Sequence, residues 1–184
     1  MGNLLRDRRT PLEFAASRQV IEFSEKIGEF GRLAAIVEGD LATLDPDRLP
    51  SGWREMEISG RLSFGFADAQ NGLPKAEGEV GGTIDMVCQR CLEPLKLPLS
   101  VELKLLFSAS ASTAGDDDGF DVWELEEETL RPLDVVEEAL IMAMPLAAMH
   151  DEEDGCHGPD AADAGAGEKI RPFAALKAQM ENDN

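Results

Sequence analysis

The sequence predicts an α+β fold, in which a curled antiparallel β-meander of at least three strands packs with a buried helix and is followed by a flexible acidic C-terminal region. Three observations support this prediction. Apolar and polar residues alternate in three successive stretches, one later apolar stretch has helical spacing, and acidic residues concentrate in residues 116–184. Apolar residues make up 43% of the 184 residues, which is enough for a hydrophobic core.

The start of the chain carries weaker patterns. Residues 19–27 contain β-branched and aromatic side chains that favour a strand. Residues 29–38 favour a short helix, and we expect Gly39 followed by Asp40 to end it. The residues of this helix with helical spacing are Phe30, Leu33, Ala34 and Val37.

The middle of the chain predicts three strands, at about 54–66, 79–88 and 94–107, because apolar residues occupy every second position. Their short connections predict antiparallel neighbours. We place a turn at Asn71 and Gly72, and a bulge or bend at the pair Gly81-Gly82. These apolar positions are Met56, Ile58, Leu62, Phe64, Phe66, Val80, Ile84, Met86, Cys88, Leu95, Leu97, Leu99, Val101, Leu103, Leu105 and Phe107.

Pro98 interrupts the third predicted strand. Proline has no N–H to donate to a neighbouring strand, so we expect Pro98 at a sheet edge or at a bulge.

The stretch LDVVEEALIMAM at 133–144 predicts a helix that is apolar over most of its surface and therefore buried. Asp134 is the expected N-cap, and Glu137, three residues later, completes a capping box. Pro145 is expected to end the helix.

The domain prediction follows from these elements. We expect one α+β domain over 1–150, and an acidic linker with a short C-terminal helix over 151–184. Residues 108–119 and 151–168 are small, acidic or polar and are expected to be mobile loops. Phe173, Leu176 and Met180 follow Pro172 at helical spacing, so the short helix docks either on its own domain or on a partner.

The charge is strongly negative. The chain has 17 basic and 37 acidic residues, for a net charge of −20. Residues 1–115 hold 13 basic and 17 acidic residues, whereas 116–184 hold 4 and 20. Phosphate neutralisation requires an excess of Lys and Arg, so this balance argues against a DNA-binding protein, a binder of bare RNA or a protein on anionic lipid. It favours basic protein partners.

The sequence predicts a cytoplasmic protein. Residues 1–11 have basic residues without an apolar stretch after them, so we expect no export signal. The longest apolar run, 139–149, is broken by Pro145 and is far shorter than the roughly 20 residues of a membrane-spanning helix. Three cysteines, an odd number, fit a reducing compartment.

The sequence CQRC at 88–91 suggests a metal site. Cys88 and Cys91 lie at a turn between two predicted strands, which presents both sulfurs on one side. Cys156 together with His150, or with His157 as the alternative, would complete a Cys3His set for a structural zinc ion.

Two other interpretations of these cysteines stay open. They are either reduced thiols with no ligand or a catalytic dithiol. The catalytic interpretation is the weaker of the two, because redox CxxC pairs start a helix within a βαβ unit, which is not predicted here.

No catalytic residues are predicted. The chain has two His and no Tyr, and it lacks the signatures of nucleophilic, metalloprotease, Walker and dinucleotide-binding sites. The acidic runs at 116–118 and 126–128 are interpreted as solvated surface. The sequence therefore gives no argument for an enzyme.

Four stretches in order resemble the bacterial YceD family, whose members are named large ribosomal RNA subunit accumulation proteins. They are VCQRCLEPL at 87–95, LDVVEEALIMAMP at 133–145, HDEEDGC at 150–156 and RPFAAL at 171–176. The resemblance extends more loosely to FAASR at 14–18 and to Arg32 and Leu33. It implies a cytoplasmic role in the synthesis, processing or stability of 23S ribosomal RNA, without an established catalytic activity.

The charge and the resemblance together lead to a hypothesis about partners. A protein of net charge −20 binds bare rRNA only through a local basic patch such as Arg6, Arg8 and Arg9. We therefore expect the acidic part to bind a basic ribosomal protein or assembly factor and to affect the rRNA indirectly. The alternatives are a thiol-redox protein that uses Cys88 and Cys91, and a general acidic holdase for basic proteins.

Overall fold

The computed structural model describes residues 3–67, 72–108, 119–125, 127–151 and 156. Within them, five strands form one open sheet in the order β1-β2-β3-β4-β5, with three α-helices. The strands are β1 Val20–Lys26, β2 Glu57–Phe66, β3 Pro74–Val87, β4 Pro94–Ser108 and β5 Asp121–Glu124. The helices are α1 Pro11–Ala16, α2 Gly31–Leu41 and α3 Pro132–Ala143.

The predicted α+β fold with an antiparallel meander is confirmed. Strands β1 to β4 pair antiparallel in chain order. Strand β5 was not predicted, and it pairs parallel to the end of β4, from Leu105 with Asp121 to Ser108 with Glu124. The sheet is therefore mixed. Four residues are too few for a periodic signal in the sequence, which explains the omission of β5.

The two faces of the sheet differ in polarity. Paired residues of adjacent strands point to the same face, so Ala76 and Leu105 share the buried face. The next pair, Glu77 and Lys104, lies on the opposite, polar face. The helices cover the apolar face and complete one hydrophobic core.

Aromatic side chains fix α1 against this face. The Phe14 ring lies 4.8 Å from that of Phe64, which in turn lies 6.4 Å from Phe107. Thr10 caps the helix, since its hydroxyl accepts from the Glu13 N–H while the Glu13 carboxylate accepts from the Thr10 N–H. This arrangement positions the N-terminal segment over the sheet.

Of the two alternatives predicted at Gly81-Gly82, a bulge or a bend, the bulge is wrong, because the register runs without interruption through both glycines. Glycine is required at Gly78 and Gly82 because strand β2 lies too close to the backbone of β3 there to leave room for a Cβ. A Cβ on Gly82 would lie 2.6 Å from Ile58 Cδ1, and one on Gly78 would lie 2.0 Å from the Arg61 carbonyl oxygen. Any larger residue would push the two strands apart.

Pro98 lies at a sheet edge, as one of its two predicted placements required. It pairs with Thr83 on one side, while β5 pairs only with Leu105–Ser108 on the other. Within the described residues, the earlier part of β4 therefore forms an edge, where a missing N–H costs no ladder hydrogen bond.

Helix α2 begins and ends later than predicted. Gly39 and Asp40 do not end the helix, which continues to Leu41. The Asp40 carboxylate instead accepts a hydrogen bond of 2.6 Å from the Val87 N–H, at the end of β3. Asp40, which the sequence pattern assigned to the end of the helix, thus joins α2 to the end of β3.

The predicted capping box of α3 is wrong. The helix begins at Pro132, a favourable residue for the first position, and Asp134 lies in its first turn, where it accepts from Arg131 Nε at 3.0 Å. The helix ends at Ala143, and Met144 is followed by Pro145, which confirms the predicted stop.

Glu137 caps a different helix from the one predicted. Its buried carboxylate accepts from the backbone N–H groups of Arg32 at 2.6 Å and Leu33 at 3.1 Å, at the start of α2. The Arg32 guanidinium also pairs with Glu137 and Glu138. One carboxylate thereby joins α2 to α3.

Some predictions lie outside the described residues. They include Asn71 of the predicted turn, the acidic run at 116–118, nearly all of both predicted loops, His157, and the C-terminal helix with Phe173, Leu176 and Met180. The domain boundary at residue 150 stays a prediction. Within the part of the chain that the structure describes, no helix combines the length and the apolar character of a membrane span.

The contact at Gly78 leads to a stability prediction. Replacement Gly78→Ala is expected to lower the free energy of unfolding by about 3 kcal/mol, because the new methyl group overlaps the Arg61 carbonyl oxygen. Urea unfolding followed by circular dichroism measures the change.

Gly31→Ala is the matched control. A Cβ there meets no atom within 4 Å, so the substitution is expected to be neutral or to stabilise by about 0.5 kcal/mol. Equal effects of the two substitutions would contradict the close-approach argument.

Candidate metal centre

The turn between β3 and β4 holds Cys88 and Cys91 in a compact loop. The Cys88 N–H donates to the Glu93 carbonyl at 2.9 Å, and the Leu92 N–H donates to the Cys88 carbonyl, also at 2.9 Å. Leu92 has φ 59°, a left-handed conformation that lets the chain reverse direction. The loop brings the sulfurs of Cys88 and Cys91 within 4.8 Å of each other.

The chain after α3 returns to this turn. The Gln89 N–H donates to the carbonyl of Ala148, a buried residue, at 2.8 Å. This backbone hydrogen bond joins positions about 60 residues apart, and it brings His150 close to the two cysteines.

Four potential ligand atoms meet at this point. The sulfurs of Cys88, Cys91 and Cys156 and a ring nitrogen of His150 all lie within 4.8 Å of one another. The Cys88 and Cys156 sulfurs are 3.6 Å apart, and the Cys91 sulfur lies 3.4 Å from His150 Nδ1. We call this group the Cys3His cluster. Cys88 is buried and the other three are partly buried.

A backbone hydrogen bond orients the His150 ring. Its Nε2 lies 3.2 Å from the Pro94 carbonyl oxygen, which can only accept, so Nε2 carries the proton. In the neutral ring, Nδ1 then has a free lone pair, and it faces the Cys91 sulfur. Histidines that bind metals are held in this way by a second hydrogen bond.

The electrostatics of the cluster favour a thiolate at Cys88. Burial raises the pKa of this thiol, but backbone N–H groups of Cys91, His150 and Arg90 donate to its sulfur, and together they lower the pKa to about 5. Desolvation and the neighbouring sulfurs of Cys91 and Cys88 raise the pKa of Cys156 to about 11. A bound cation would favour the thiolate form of all three cysteines.

The donor set and its spacing fit a tetrahedral metal ion. With Zn–S distances of about 2.3 Å, two sulfurs on one tetrahedral edge lie about 3.8 Å apart, and a sulfur and a nitrogen lie slightly closer. The two short separations in the cluster, 3.6 and 3.4 Å, are close to these values. Three thiols and one imidazole within 4.8 Å of one another could therefore hold a metal ion.

The structure brings together four of the five predicted ligands, and it places His150 rather than another described residue beside the cysteines. His157 lies outside the described residues. The backbone carbonyls of Pro94 and Ala148, which orient His150 and the turn, had no signal in the sequence, because any residue type supplies a carbonyl.

Comparison with known proteins gives one family and one curated relative. The model of the family described as large ribosomal RNA subunit accumulation protein YceD matches residues 76–178. The large ribosomal RNA subunit accumulation protein YceD of Haemophilus influenzae is 36% identical over 96 residues, which is 50% of this chain and 53% of that protein. The match thus spans about half the length of the relative. No solved structure matches the chain.

The matched stretch includes most of β3, all of β4, β5 and α3, and all four side chains of the Cys3His cluster. It also includes the segment RPFAAL at 171–176. Since it covers more than half of the residues, the chain belongs to the YceD family.

Proposed function

We propose that this protein supports the accumulation of 23S ribosomal RNA as a non-catalytic factor, and that it does so by binding a basic ribosomal protein or assembly factor. The name of the family supports the first part of the proposal. The charge of residues 116–184, with 4 basic and 20 acidic side chains, carries the second part.

The described part of this acidic region offers unpaired carboxylates. Asp121 and Glu124 on β5 and Glu128 in the following loop are exposed. Among the described residues, none of the three has a basic side chain within 4 Å. These groups are available to a basic partner without the loss of an existing ion pair.

The N-terminal arginines are less available to phosphate. Arg6 pairs with Glu25 at 2.9 Å and Glu29 at 2.7 Å. Arg8 pairs with Glu127 at 2.5 Å, and Arg9 with Asp7 at 3.0 Å. Each guanidinium already has a carboxylate partner, so a basic patch for direct rRNA binding lacks support, and a protein partner is favoured.

The Cys3His cluster has a structural part in this proposal. A zinc ion bound by Cys88, Cys91, Cys156 and His150 would join the β3–β4 turn to the chain that leaves α3. The ion would thereby fix the position of Cys156, after which residues 157–184 follow in the chain. Three sulfurs and one nitrogen make a closed ligand set, as in structural rather than catalytic zinc sites.

The low pKa of Cys88 supports one alternative, a thiol-redox function of Cys88 and Cys91. Against it, the pair lies in a β-hairpin turn and not at the start of a helix. A general acidic holdase is the other alternative, and it differs in showing no preference among basic proteins of equal charge.

The zinc proposal predicts stoichiometric metal and a loss of stability without it. We expect one zinc ion per chain by elemental analysis after purification without chelator. Chelation is expected to lower the melting temperature by roughly 5 to 10 °C. A ligand at 100 times its Kd stabilises the folded protein by about 2.7 kcal/mol. For a chain of this length, each kcal/mol changes the melting temperature by about 2–4 °C.

The two histidines provide a matched pair of variants. His150→Ala is expected to lose zinc and stability, while His157→Ala retains both. Loss of zinc in the His157 variant alone would reassign the ligand. A metal-free protein with a reversible disulfide between Cys88 and Cys91, and with insulin reductase activity, would replace zinc with the redox alternative.

The partner proposal predicts salt-sensitive binding of basic proteins. The full chain is immobilised and incubated with total large-subunit ribosomal proteins, or with deproteinised 23S rRNA, at about 0.1 M and about 1 M salt. We expect retention of one or a few basic proteins at the lower salt only, because the Debye length falls from about 10 Å to about 3 Å. Retention of bare rRNA at about 0.1 M salt would overturn the proposal.

Charge-neutral variants locate the binding surface. The triple variant Asp121→Asn, Glu124→Gln and Glu128→Gln is expected to weaken binding about tenfold, at roughly 0.5 kcal/mol for each exposed pair. The control changes the net charge equally at exposed acids of the first part: Asp45→Asn, Asp47→Asn and Glu79→Gln. Equal losses in both variants would indicate a non-specific acidic holdase.

A further inference from the structure

A groove lies between α3 and the β4–β5 edge of the sheet. Its volume is about 680 Å³, and most of its surface is apolar. Met142 on α3 is 77% exposed and Val122 on β5 is 38% exposed, and both line this groove, so they contribute to one apolar surface. Trp123 also lines the groove.

The edge of the sheet is open within this groove. Strand β5 pairs with β4 only from Leu105 onward, so the described residues place no strand beside Val101 and Leu103, which also line the groove. An apolar surface beside unpaired strand backbone is a common place for another segment to bind.

The rim of the groove is acidic. Lys104 is neutralised by Glu102 at 2.7 Å, and Glu138 pairs with Arg32. The charges without a described partner are therefore the carboxylates of Asp121 and Glu124. A segment that combines apolar and basic side chains is the complementary ligand.

The chain contains one such segment in its acidic part. Residues 169–180, KIRPFAALKAQM, have three basic and no acidic side chains. They hold three of the four basic residues of 116–184, together with Phe173, Leu176 and Met180. Composition therefore makes this segment the complement of the groove.

The segment is close enough along the chain to reach the groove. Ala143, at one end of the groove, precedes His150 of the Cys3His cluster by seven residues. From Cys156, in the same cluster, 12 residues lead to residue 169, and they can span up to about 40 Å. A short tether gives an effective concentration near mM, so weak intrinsic affinity is sufficient.

We propose that residues 169–180 dock in the groove between α3 and the β4–β5 edge, with apolar side chains against Met142 and Trp123 and basic side chains against Asp121 and Glu124. The match to the YceD family model spans both the groove and this segment as far as residue 178. The inference does not depend on bound zinc. It places the segment on Asp121 and Glu124, two of the carboxylates proposed for the basic partner, so the segment and the partner would compete for them.

Trp123 provides the readout in the full chain. The chain has two tryptophans, and Trp53→Phe leaves Trp123 as the single fluorophore. In this background, Phe173→Ser with Leu176→Ser is expected to shift Trp123 emission to longer wavelength and to increase its quenching by acrylamide. Hydrogen exchange is expected to accelerate in α3 and β5.

Controls separate docking from other effects. Ala174→Ser with Ala175→Ser changes the same segment without removing large apolar groups and should leave emission unchanged. A synthetic peptide of residues 168–181 should restore the original spectrum of the Phe173/Leu176 variant, a scrambled peptide should not, and Met142→Glu should abolish the restoration.

Two results would overturn the proposal. One is unchanged emission, quenching and exchange in a folded Phe173/Leu176 variant. The other is a spectral change that depends on protein concentration, which would assign the groove to the segment of a second copy of the chain.

Discussion

The contact between the β3–β4 turn and the chain after α3 constrains most of the structure. It closes a loop of about 60 residues, so the entropy lost on closure must be offset locally. The hydrogen bonds from Gln89 to Ala148 and from His150 to Pro94 contribute about 1 kcal/mol each. Three cysteine sulfurs at the same point allow a much larger contribution, because a metal bound only by the folded chain stabilises it in proportion to its affinity. This contact therefore holds the chain that leaves α3 against the β3–β4 turn.

Charge distribution explains how such an acidic chain remains folded. Basic residues in the first part pair with nearby carboxylates, as Arg6 does with Glu25 and Glu29. The buried Glu137 carboxylate accepts two backbone hydrogen bonds at the start of α2, where the partial positive charge of the helix end stabilises it. Asp121 and Glu124 on β5, which have no basic partner among the described residues, are exposed, so solvent screens their repulsion. The same distribution leaves those acids available to a cationic partner.

The sequence predicted the elements with strong periodicity and missed those that depend on distant residues. Alternation in β2, β3 and β4 reflects burial of one sheet face, a property that each strand carries in its own residues. The role of Glu137 as a cap for α2 cannot be read locally, because its partners lie more than 100 residues away. Asp40 is a similar case, since its contact with Val87 outweighs the tendency of Gly39 to end a helix. For the site, residue types and spacing suggested the cysteines and two histidines, whereas the fold was needed to place His150 beside Cys91.

Helix α3 links the features on which the functional proposals depend. Its buried side packs on β4, its carboxylate Glu137 holds α2, and its exposed Met142 lines the groove. A few residues beyond its end, the chain enters the Cys3His cluster. A shift of α3 would therefore change the groove and the cluster together. The exposed Met142 lies on the same helix as the buried Leu140, so one element contributes both to the core and to the lining of the groove.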